Sequence, residues 1–168
     1  MTVIVAFDEK RAIGKDNKLL ARLPEDMKFY KEKTVGNAVV MGSKTYLSIP
    51  KRPLADRDNF VITSCPEKFP EVKCFTSLEE FLLFAKEYER TSGKELFVCG
   101  GAMVYGELLP YCSKAYITKI SHIFEGDAFF PDIDSLEGWK VTAESEPVET
   151  NGYTIRFVTY ENKSVKEY

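Results

Sequence analysis

Short apolar runs recur along the first two thirds of the chain, separated by longer amphipathic stretches. The first run is Thr2–Phe7, and runs of similar character occupy 38–41, 59–63 and 95–99. Strands that are covered on both faces in a parallel sheet have this nearly continuous apolar character. The runs therefore predict four buried strands.

The stretches between these runs have the periodicity of helices. A helix is predicted to begin at Pro24, because proline suits the first helical position. In 77–89, Ser77 and Glu80 have the spacing of a capping box at a helix start. The apolar residues of that segment fall on one helical face, and they are Leu78, Phe81, Leu82, Ala85 and Tyr88. Alternating strands and helices predict an α/β fold.

The pattern changes after Pro110. Segments 114–121 and 153–160 alternate β-branched and aromatic residues with polar ones, which predicts longer strands that close one edge of the sheet in antiparallel fashion. Residues 8–23 form a long charged loop, and loops of that length are commonly lids or binding loops. We interpret 1–168 as one domain, with 162–168 expected to fray.

Composition restricts the classes of partner. The net charge of -3 argues against a general binder of nucleic acid, and no apolar run approaches the ~20 residues of a membrane helix. The four cysteines are too widely spaced for a zinc knuckle and no apolar leader precedes the first strand, so we expect reduced thiols in a cytoplasmic protein. His122 is the only histidine and is expected to be structural. We therefore expect a small-molecule partner and no metal site.

Asp26 is an acid inside the otherwise apolar start of the first predicted helix. Two interpretations compete. Helix N-termini attract acids such as Glu25 and Asp26, which makes a dipole partner the simpler interpretation. Alternatively, a carboxylate in an apolar setting handles a proton or binds a polar ligand.

Two strand-to-helix turns carry glycine. Gly42 is followed by Ser43, Lys44 and Thr45, a combination that attracts phosphate to a helix start, although an ordinary capped helix explains it equally well. The pair Gly100-Gly101 permits close approach of a ligand to the backbone, but it lacks the third glycine and downstream acid of a dinucleotide fingerprint.

Two further loops hold charged residues. Arg52 and Arg57 stand in a proline-bearing loop, where a guanidinium either pairs with a carboxylate or is simply solvated. Asp127 follows Gly126, and aspartate at such a position is most simply a turn former.

Taken in order, these pieces closely resemble the dihydrofolate reductase family. The resemblance covers nearly the whole chain. It rests on Ala12-Ile13-Gly14 with Asn17, Leu23-Pro24-Glu25-Asp26 with Phe29 and Lys31, Met41-Gly42 with Thr45 and Ser48-Ile49, Arg52-Pro53-Leu54 with Arg57, Gly100-Gly101 with Tyr105, Thr118, and Glu125-Gly126-Asp127 with Phe130-Pro131.

The resemblance implies a mainly parallel eight-stranded sheet with an antiparallel C-terminal edge and four flanking helices. It also implies NADPH-dependent reduction of 7,8-dihydrofolate to 5,6,7,8-tetrahydrofolate, antifolates as inhibitors, and a monomer.

Site roles follow from the resemblance position by position. Asp26 would hold the pterin's N3 and 2-amino group as the catalytic acid, with Thr118 tied to it. Arg57 would pair with the α-carboxylate of the substrate's glutamate, and Asp127 would hold the lid formed by 9–23. The implied substrate-binding residues are Ile4, Val5, Ala6, Asp26, Met27, Tyr30, Ile49, Arg52, Leu54, Arg57, Cys99 and Thr118. The implied cofactor-binding residues are Ala6, Ile13, Gly14, Leu19, Gly42, Ser43, Lys44, Thr45, Thr63, Ser64, Cys99, Gly100, Gly101, Ala102, Met103, Val104 and Tyr105.

The chain departs from the family at two positions. Leu20-Ala21 stands where most members have Pro-Trp, so an indole near the substrate is missing. Ser43 stands where many members have arginine, which removes a cation from the expected 2′-phosphate site. Two other functions remain open from the residues: a pyrimidine reductase of riboflavin synthesis, and a catalytically silent nucleotide-binding module.

Overall fold

The computed structural model describes residues 1–168. Its strands are β1 (Thr2–Phe7), β2 (Ala12–Gly14), β3 (Ala38–Gly42), β4 (Asp58–Ile62), β5 (Lys73–Phe75), β6 (Leu96–Val98), β7 (Lys114–Ile120), β8 (Ala128–Phe129), β9 (Trp139–Glu144), β10 (Val148–Thr150) and β11 (Tyr153–Asn162). Its helices are α1 (Pro24–Thr34), α2 (Ser43–Leu47), α3 (Leu78–Ser92) and α4 (Ala102–Leu108), and three short 3-10 turns lie at Pro66–Lys68, Leu109–Tyr111 and Ile133–Ser135. No helix has the length and apolar character needed to cross a membrane.

The main sheet runs in the order β10, β11, β7, β1, β6, β3, β4, β5. Neighbours from β7 to β5 are parallel, whereas β11 is antiparallel to β7 and β10 to β11. A ninth strand, β9, pairs with the last residues of β11, so β9 and β10 occupy the same edge of β11 in succession. The predicted mainly parallel sheet with an antiparallel C-terminal edge and four helices is confirmed.

The sheet separates two apolar layers. Successive side chains of a strand point to opposite faces, so Val3, Val5 and Phe7 pack in a large cluster with α3 and α4. Ile4 lies in a second cluster, which includes residues of α2 and the half-buried Tyr30 of α1. Helices α1 and α2 therefore cover the second face, and Asp26 of α1 reaches Thr118 of β7.

Helix α3 shows how local sequence sets an element's limits. The Ser77 hydroxyl accepts the N–H of Glu80 at 3.1 Å, as predicted for its N-cap. The Glu80 carboxylate, however, accepts the backbone N–H of Thr76 rather than that of Ser77, so the predicted capping box is only half formed. Gly93 ends the helix with a φ of 68°, a left-handed conformation that favours glycine.

The C-terminal residues differ from the frayed tail that we expected. The Lys166 N–H donates to the Pro110 carbonyl at 2.9 Å. The Tyr168 hydroxyl donates to the Glu89 carboxylate, and its ring meets that of Tyr111 edge to face at 5.9 Å between centroids. Aromatic packing and these hydrogen bonds dock a segment whose polar composition alone indicated disorder.

Candidate active site

Several residues that are predicted to bind substrate or cofactor lie at the carboxyl ends of neighbouring parallel strands. Four adjacent strands run in the same direction, namely β7, β1, β6 and β3. Residues at or near their carboxyl ends therefore lie close together, and these are Ala6, Gly42, Cys99 and Thr118. Ligands of open α/β sheets bind in the crevice at this edge. These four predicted positions therefore lie together where a ligand of such a sheet would bind.

Asp26 faces this crevice from the first turn of α1. Pro24 begins the helix, and the half-buried Asp26 receives a hydrogen bond of 2.6 Å from the Thr118 hydroxyl to its Oδ1. Burial raises the pKa of the Asp26 carboxyl above its ordinary value of 3.8, and the Thr118 hydrogen bond opposes this shift. A carboxyl group that can hold its proton more tightly than usual, with one oxygen fixed and the other free, is suited to polar recognition and to proton-linked chemistry.

An apolar wall continues from Asp26 along α1. Ile4 is buried in the second cluster, and the half-buried Tyr30, Ile49, Leu54 and Cys99 pack against that cluster. These are five of the predicted substrate-binding residues. Packing in one cluster brings them together from α1, β1 and the connections that follow α2 and β6.

Tyr30 and Cys99 also share a polar contact. The Tyr30 hydroxyl donates to the Cys99 Sγ at 3.3 Å. Burial raises the pKa of the Cys99 thiol to about 12 and that of the Tyr30 phenol well above its ordinary value. Both groups are therefore neutral in the wall, and Cys99 is not an activated nucleophile.

Two predicted substrate positions lie differently. Met27 on α1 is 49% exposed and does not belong to the second cluster. The Val5 side chain packs with the large cluster on the opposite face of the sheet, because it lies between Ile4 and Ala6 on one strand. The Val5 side chain therefore does not line the crevice.

Arg57 is held by groups that our sequence interpretation missed. Its guanidinium donates to the Thr34 hydroxyl at 3.0 Å and to the Ala55 carbonyl at 2.8 Å, and it forms no ion pair within the chain. The Asn59 amide donates to the carbonyls of Leu54 and Arg57, which fixes the loop that carries the guanidinium. An oriented arginine without an acidic partner is suited to bind a carboxylate.

Arg52, by contrast, is used within its own loop. Its Nη1 donates to the carbonyls of Leu47 at 3.2 Å and Ile49 at 3.0 Å. The side chain is exposed and closes the turn after α2. Any contact with substrate must therefore come from its remaining N–H groups.

A glycine cradle lies beside this wall, where β3 and β6 end next to each other. Gly42 precedes α2 and Gly101 precedes α4, and no side chain caps either helix. The Gly42 N–H donates to the Gly100 carbonyl at 2.9 Å, and the peptide between the paired glycines is cis. A Cβ at Gly101 would lie 3.3 Å from the Thr45 Oγ1, and one at Gly100 would lie 3.3 Å from the Tyr105 ring. Larger residues would crowd this turn, and their absence leaves backbone groups open to a ligand.

The other predicted cofactor positions border the cradle or support it. Thr63 follows β4, whose Ile62 is paired with Gly42, and its hydroxyl accepts the N–H of Cys65 at 3.1 Å. Tyr105 is buried and donates its hydroxyl to the Ile4 carbonyl at 2.7 Å. The positions at or near the surface are Ser43, Lys44, Ser64, Ala102 and Met103, and Val104 packs against Gly42.

The predicted lid is tied to the loop before β8. β2, which contains Ile13 and Gly14, pairs with β8, and the Asp127 carboxylate accepts the N–H of Asp16 at 3.0 Å. The contact predicted for Asp127 is therefore present. Leu19, a predicted cofactor position in this loop, is 78% exposed.

Asp8 is a second acid in this region, and sequence interpretation missed it. It is 2% exposed, and its carboxylate accepts N–H groups of Lys10 and Ala12 at 2.9 Å each and of Phe124 at 2.8 Å. The available signal was an aspartate directly after a continuous apolar strand, where aspartate commonly closes a turn.

The arrangement as a whole offers one acid, an apolar wall, an oriented guanidinium and an open glycine turn. No three His, Cys, Asp or Glu side chains are placed to hold a metal ion. Such a crevice can bind a flat polar heterocycle at Asp26 and place a second, anionic ligand along the glycines.

Comparison with known proteins agrees with this arrangement. The family model described as dihydrofolate reductase matches residues 1–162. The chain is 40% identical to the dihydrofolate reductase of Bacillus subtilis over 167 residues, which is 98% of this chain and 95% of the relative. It is 37% identical to the enzyme of Staphylococcus haemolyticus over 164 residues, 96% of this chain and 95% of that one.

A solved structure agrees in fold as well. Dihydrofolate reductase from Enterococcus faecalis, complexed with NADP(H) and RAB-propyl, superimposes with a TM-score of 0.84 at 40% identity and covers 96% of this chain and 95% of its own. Sequence and structure thus agree over nearly the full length, and the chain belongs to the dihydrofolate reductase family.

Proposed function

We propose that this protein reduces 7,8-dihydrofolate to 5,6,7,8-tetrahydrofolate with NADPH. The observation that carries the proposal is the Asp26 and Thr118 pair, joined at 2.6 Å, at the same sheet edge as the glycine cradle. The pair gives a hydrogen-bonding site for a pterin, and the cradle gives a site for a dinucleotide beside it.

The cofactor fits the residues present. Gly100 and Gly101 leave open the space that a Cβ would fill against Tyr105 and Thr45. Lys44 lies just inside the start of α2 and adds a positive charge near the predicted phosphate positions. When bound, NADPH supplies the hydride that reaches C6 of the pterin.

Asp26 orients the substrate in this proposal. Its carboxylate accepts hydrogen bonds from the pterin N3 and 2-amino group, while the Thr118 hydroxyl holds Oδ1 in place. These groups of the pterin lie away from N5, so Asp26 polarises the ring and water delivers the proton to N5. The wall of Tyr30, Ile49 and Leu54 excludes bulk water from the ring and its benzoyl extension.

Arg57 binds the other end of the substrate. The Thr34 hydroxyl and the Ala55 carbonyl hold two of its N–H groups, which leaves others for the α-carboxylate of the glutamate. The lid closes over the cofactor side, with Asp127 holding the backbone at Asp16. Antifolates would occupy the same crevice and contact Asp26.

Three further properties are part of the proposal. Ser43 leaves Lys44, Thr45, Thr63 and Ser64 to bind the 2′-phosphate, so NADPH is preferred over NADH by a smaller margin than with arginine. The protein acts as a monomer in the cytoplasm, and its four unpaired cysteines are compatible with a reducing compartment. Light scattering should give the mass of one chain, 19.2 kDa.

The decisive experiment follows the absorbance of NADPH with and without dihydrofolate. We expect oxidation that depends on dihydrofolate, is slower with NADH, and is inhibited by an antifolate. Oxidation that requires a ribosyl-aminopyrimidine instead would assign the chain to the pyrimidine reductases of riboflavin synthesis. NADPH binding without turnover of either substrate would indicate a silent nucleotide-binding module.

A further inference from the structure

Asp8 is the most deeply buried acid in the structure, and the mechanism above does not use it. It follows β1, two residues after Ala6, and is 2% exposed. Its Oδ1 accepts the N–H groups of Lys10 and Ala12, and its Oδ2 accepts that of Phe124, all between 2.8 and 2.9 Å. Three backbone donors satisfy a carboxylate that would otherwise be costly to bury.

The two oxygens of Asp8 serve two different loops. Oδ1 closes the turn at the base of the lid, whereas Oδ2 holds the loop between β7 and β8, 116 residues away in the chain. The Glu9 N–H reinforces this junction by donating to the His122 carbonyl at 3.1 Å.

Gly126 makes the same junction tight from the other side. A Cβ at this position would lie 2.5 Å from the Ala12 Cβ and 3.3 Å from the Gly14 carbonyl oxygen. The loop before β8 therefore rests directly on β2, and a side chain at 126 would force the two apart.

The far end of the lid is held differently. The Asp127 carboxylate accepts one exposed N–H, that of Asp16, and the Asp127 N–H donates to the Gly14 carbonyl at 3.0 Å. Both oxygens of the buried Asp8 side chain, in contrast, accept backbone N–H groups. Exposed single contacts open at low cost, while buried networks do not. The lid is thus anchored at Asp8, whereas its exposed bond to the Asp127 carboxylate opens more easily.

We propose that Asp8 is a positioning residue for hydride transfer. Its Oδ2 fixes the base of the lid to the loop between β7 and β8 and so sets the distance between Asp127 and Asp16. It thereby also sets the distance of Ile13 and Gly14 from the crevice. The inference rests on the proposed reductase activity. Asp8 acts by alignment, since both of its oxygens are bonded to backbone N–H groups of the protein.

Asp8→Asn separates the two functions of the carboxylate. The remaining carbonyl oxygen keeps the bonds from Lys10 and Ala12, while the new amide presents N–H groups to the Phe124 N–H and breaks the link between the loops. We expect single-turnover hydride transfer to slow about 10-fold, because small misplacements of reacting groups are costly, with the Michaelis constant for dihydrofolate unchanged.

Glu89→Gln is the matched control. It also converts a carboxylate to an amide and weakens the bond from Tyr168, but Glu89 lies on α3, away from the lid and the crevice. This variant should lose thermal stability and keep the parent's hydride-transfer rate. The Asp8→Asn and Asp127→Ala effects on that rate should be less than additive, since both act through the same loop contact.

The outcomes are distinguishable. A parent protein that does not oxidise NADPH with dihydrofolate overturns the proposed function itself. With an active parent, an Asp8→Asn variant that loses stability but transfers hydride at the parent's rate overturns the positioning role. If Asp8→Asn does not fold, Gly126→Ala tests the same junction, and an unchanged rate in that variant would equally refute it.

Discussion

At the scale of single residues, Asp26 sits where two demands conflict. Burial disfavours its charged form, while the function that we propose uses its carboxylate to recognise a polar ring. The only side chain bonded to it is the Thr118 hydroxyl. Its protonation state is therefore sensitive to whatever binds beside it.

The first prediction concerns Asp26→Asn, which keeps the shape and the Thr118 bond but removes the charge. We expect turnover at neutral pH to fall by roughly 10² or more, as for other positioned acid-base groups, with NADPH affinity nearly intact. Lower pH should partly rescue the variant, because solvent then protonates the pterin directly. The parent's rate should fall as pH rises through the raised pKa of Asp26. Rate profiles of both proteins against pH measure this, and near-normal activity with an unchanged profile would exclude a catalytic role.

The second prediction concerns Ser43, at the first position of α2. Ser43→Arg should tighten NADPH by roughly 1 to 2 kcal/mol, because a guanidinium forms charge-assisted hydrogen bonds to the 2′-phosphate. NADH, which lacks that phosphate, should bind as before. Titration of both cofactors measures the difference, and Ser92→Arg at the end of α3 controls for the added charge. Equal tightening of both cofactors would mean that position 43 does not contact the phosphate.

At the scale of elements, the short β2 and β8 pair decides how the lid meets the body of the protein. Strands of this length contribute few hydrogen bonds of their own. The lid therefore depends on side chains of neighbouring loops, Asp8 at one end and Asp127 at the other.

The third prediction is that Asp127→Ala loosens the closed lid. Hydride transfer should slow while the affinity for dihydrofolate changes little, because the lost bond lies outside the substrate's wall. Stopped-flow measurement of NADPH oxidation tests this. Glu125→Ala is the control, since Glu125 is 94% exposed and its ion pair with Lys15 should contribute little. Lower stability with normal kinetics would show that Asp127 only forms a turn.

The fourth prediction concerns Ala21, which is half-buried and packs against the cluster around Leu23. Ala21→Trp should tighten dihydrofolate, because an indole would cover more of the crevice and its N–H would order a water there. Fluorescence titration and thermal melting test the variant, and Ala21→Leu adds apolar surface without the N–H. Weaker binding together with a lower melting temperature would mean that the loop has packed around the small side chain.

At the scale of the whole molecule, stability and site chemistry oppose each other. The folded state raises the pKa of Asp26 above 3.8, so it binds that proton more tightly than the unfolded chain. The contribution of Asp26 to stability is therefore greatest at low pH and falls as pH rises through the folded pKa. The protein keeps this acid at a cost in stability at neutral pH.

The fifth prediction follows from this pH dependence of the stability that Asp26 contributes. Asp26→Asn should melt at or above the parent's temperature at neutral pH, and the difference should vanish below about pH 4, where the unfolded acid also takes up its proton. Asp58→Asn should instead lower the melting temperature at neutral pH. The Tyr88 hydrogen bond and Lys94 lower the pKa of Asp58, so its charged form stabilises the folded protein above about pH 4. Calorimetry across pH tests both. A lower melting temperature for Asp26→Asn would favour the simple dipole partner.

The sequence by itself determined the elements whose cause is local. Continuous apolar runs placed β1, β3, β4 and β6, since a strand covered on both faces must be apolar throughout. Helix α3 was predicted at 77–89 from its periodicity and its Ser77 cap, and it extends to Ser92 because Gly93 provides the left-handed ending. Glycines at 42, 100 and 101 marked the turns of the cradle, and a Cβ at Gly100 or Gly101 would lie only 3.3 Å from its neighbours.

Tertiary structure alone decided which polar groups meet. Thr118 reaches Asp26 across 92 residues, Phe124 reaches Asp8 across 116, and Tyr168 reaches Glu89 across 79. The Asp26 and Thr118 pairing was available beforehand only through resemblance to the family. Hydrophobic periodicity is a property of neighbouring residues, whereas the partner of a buried polar group depends on how distant strands and loops are brought together. For that reason the α/β class and the antiparallel edge could be predicted from the pattern, and the number of strands and helices only from the resemblance. The support of Arg57 by Thr34 and Asn59 and the double anchor at Asp8 required the structure.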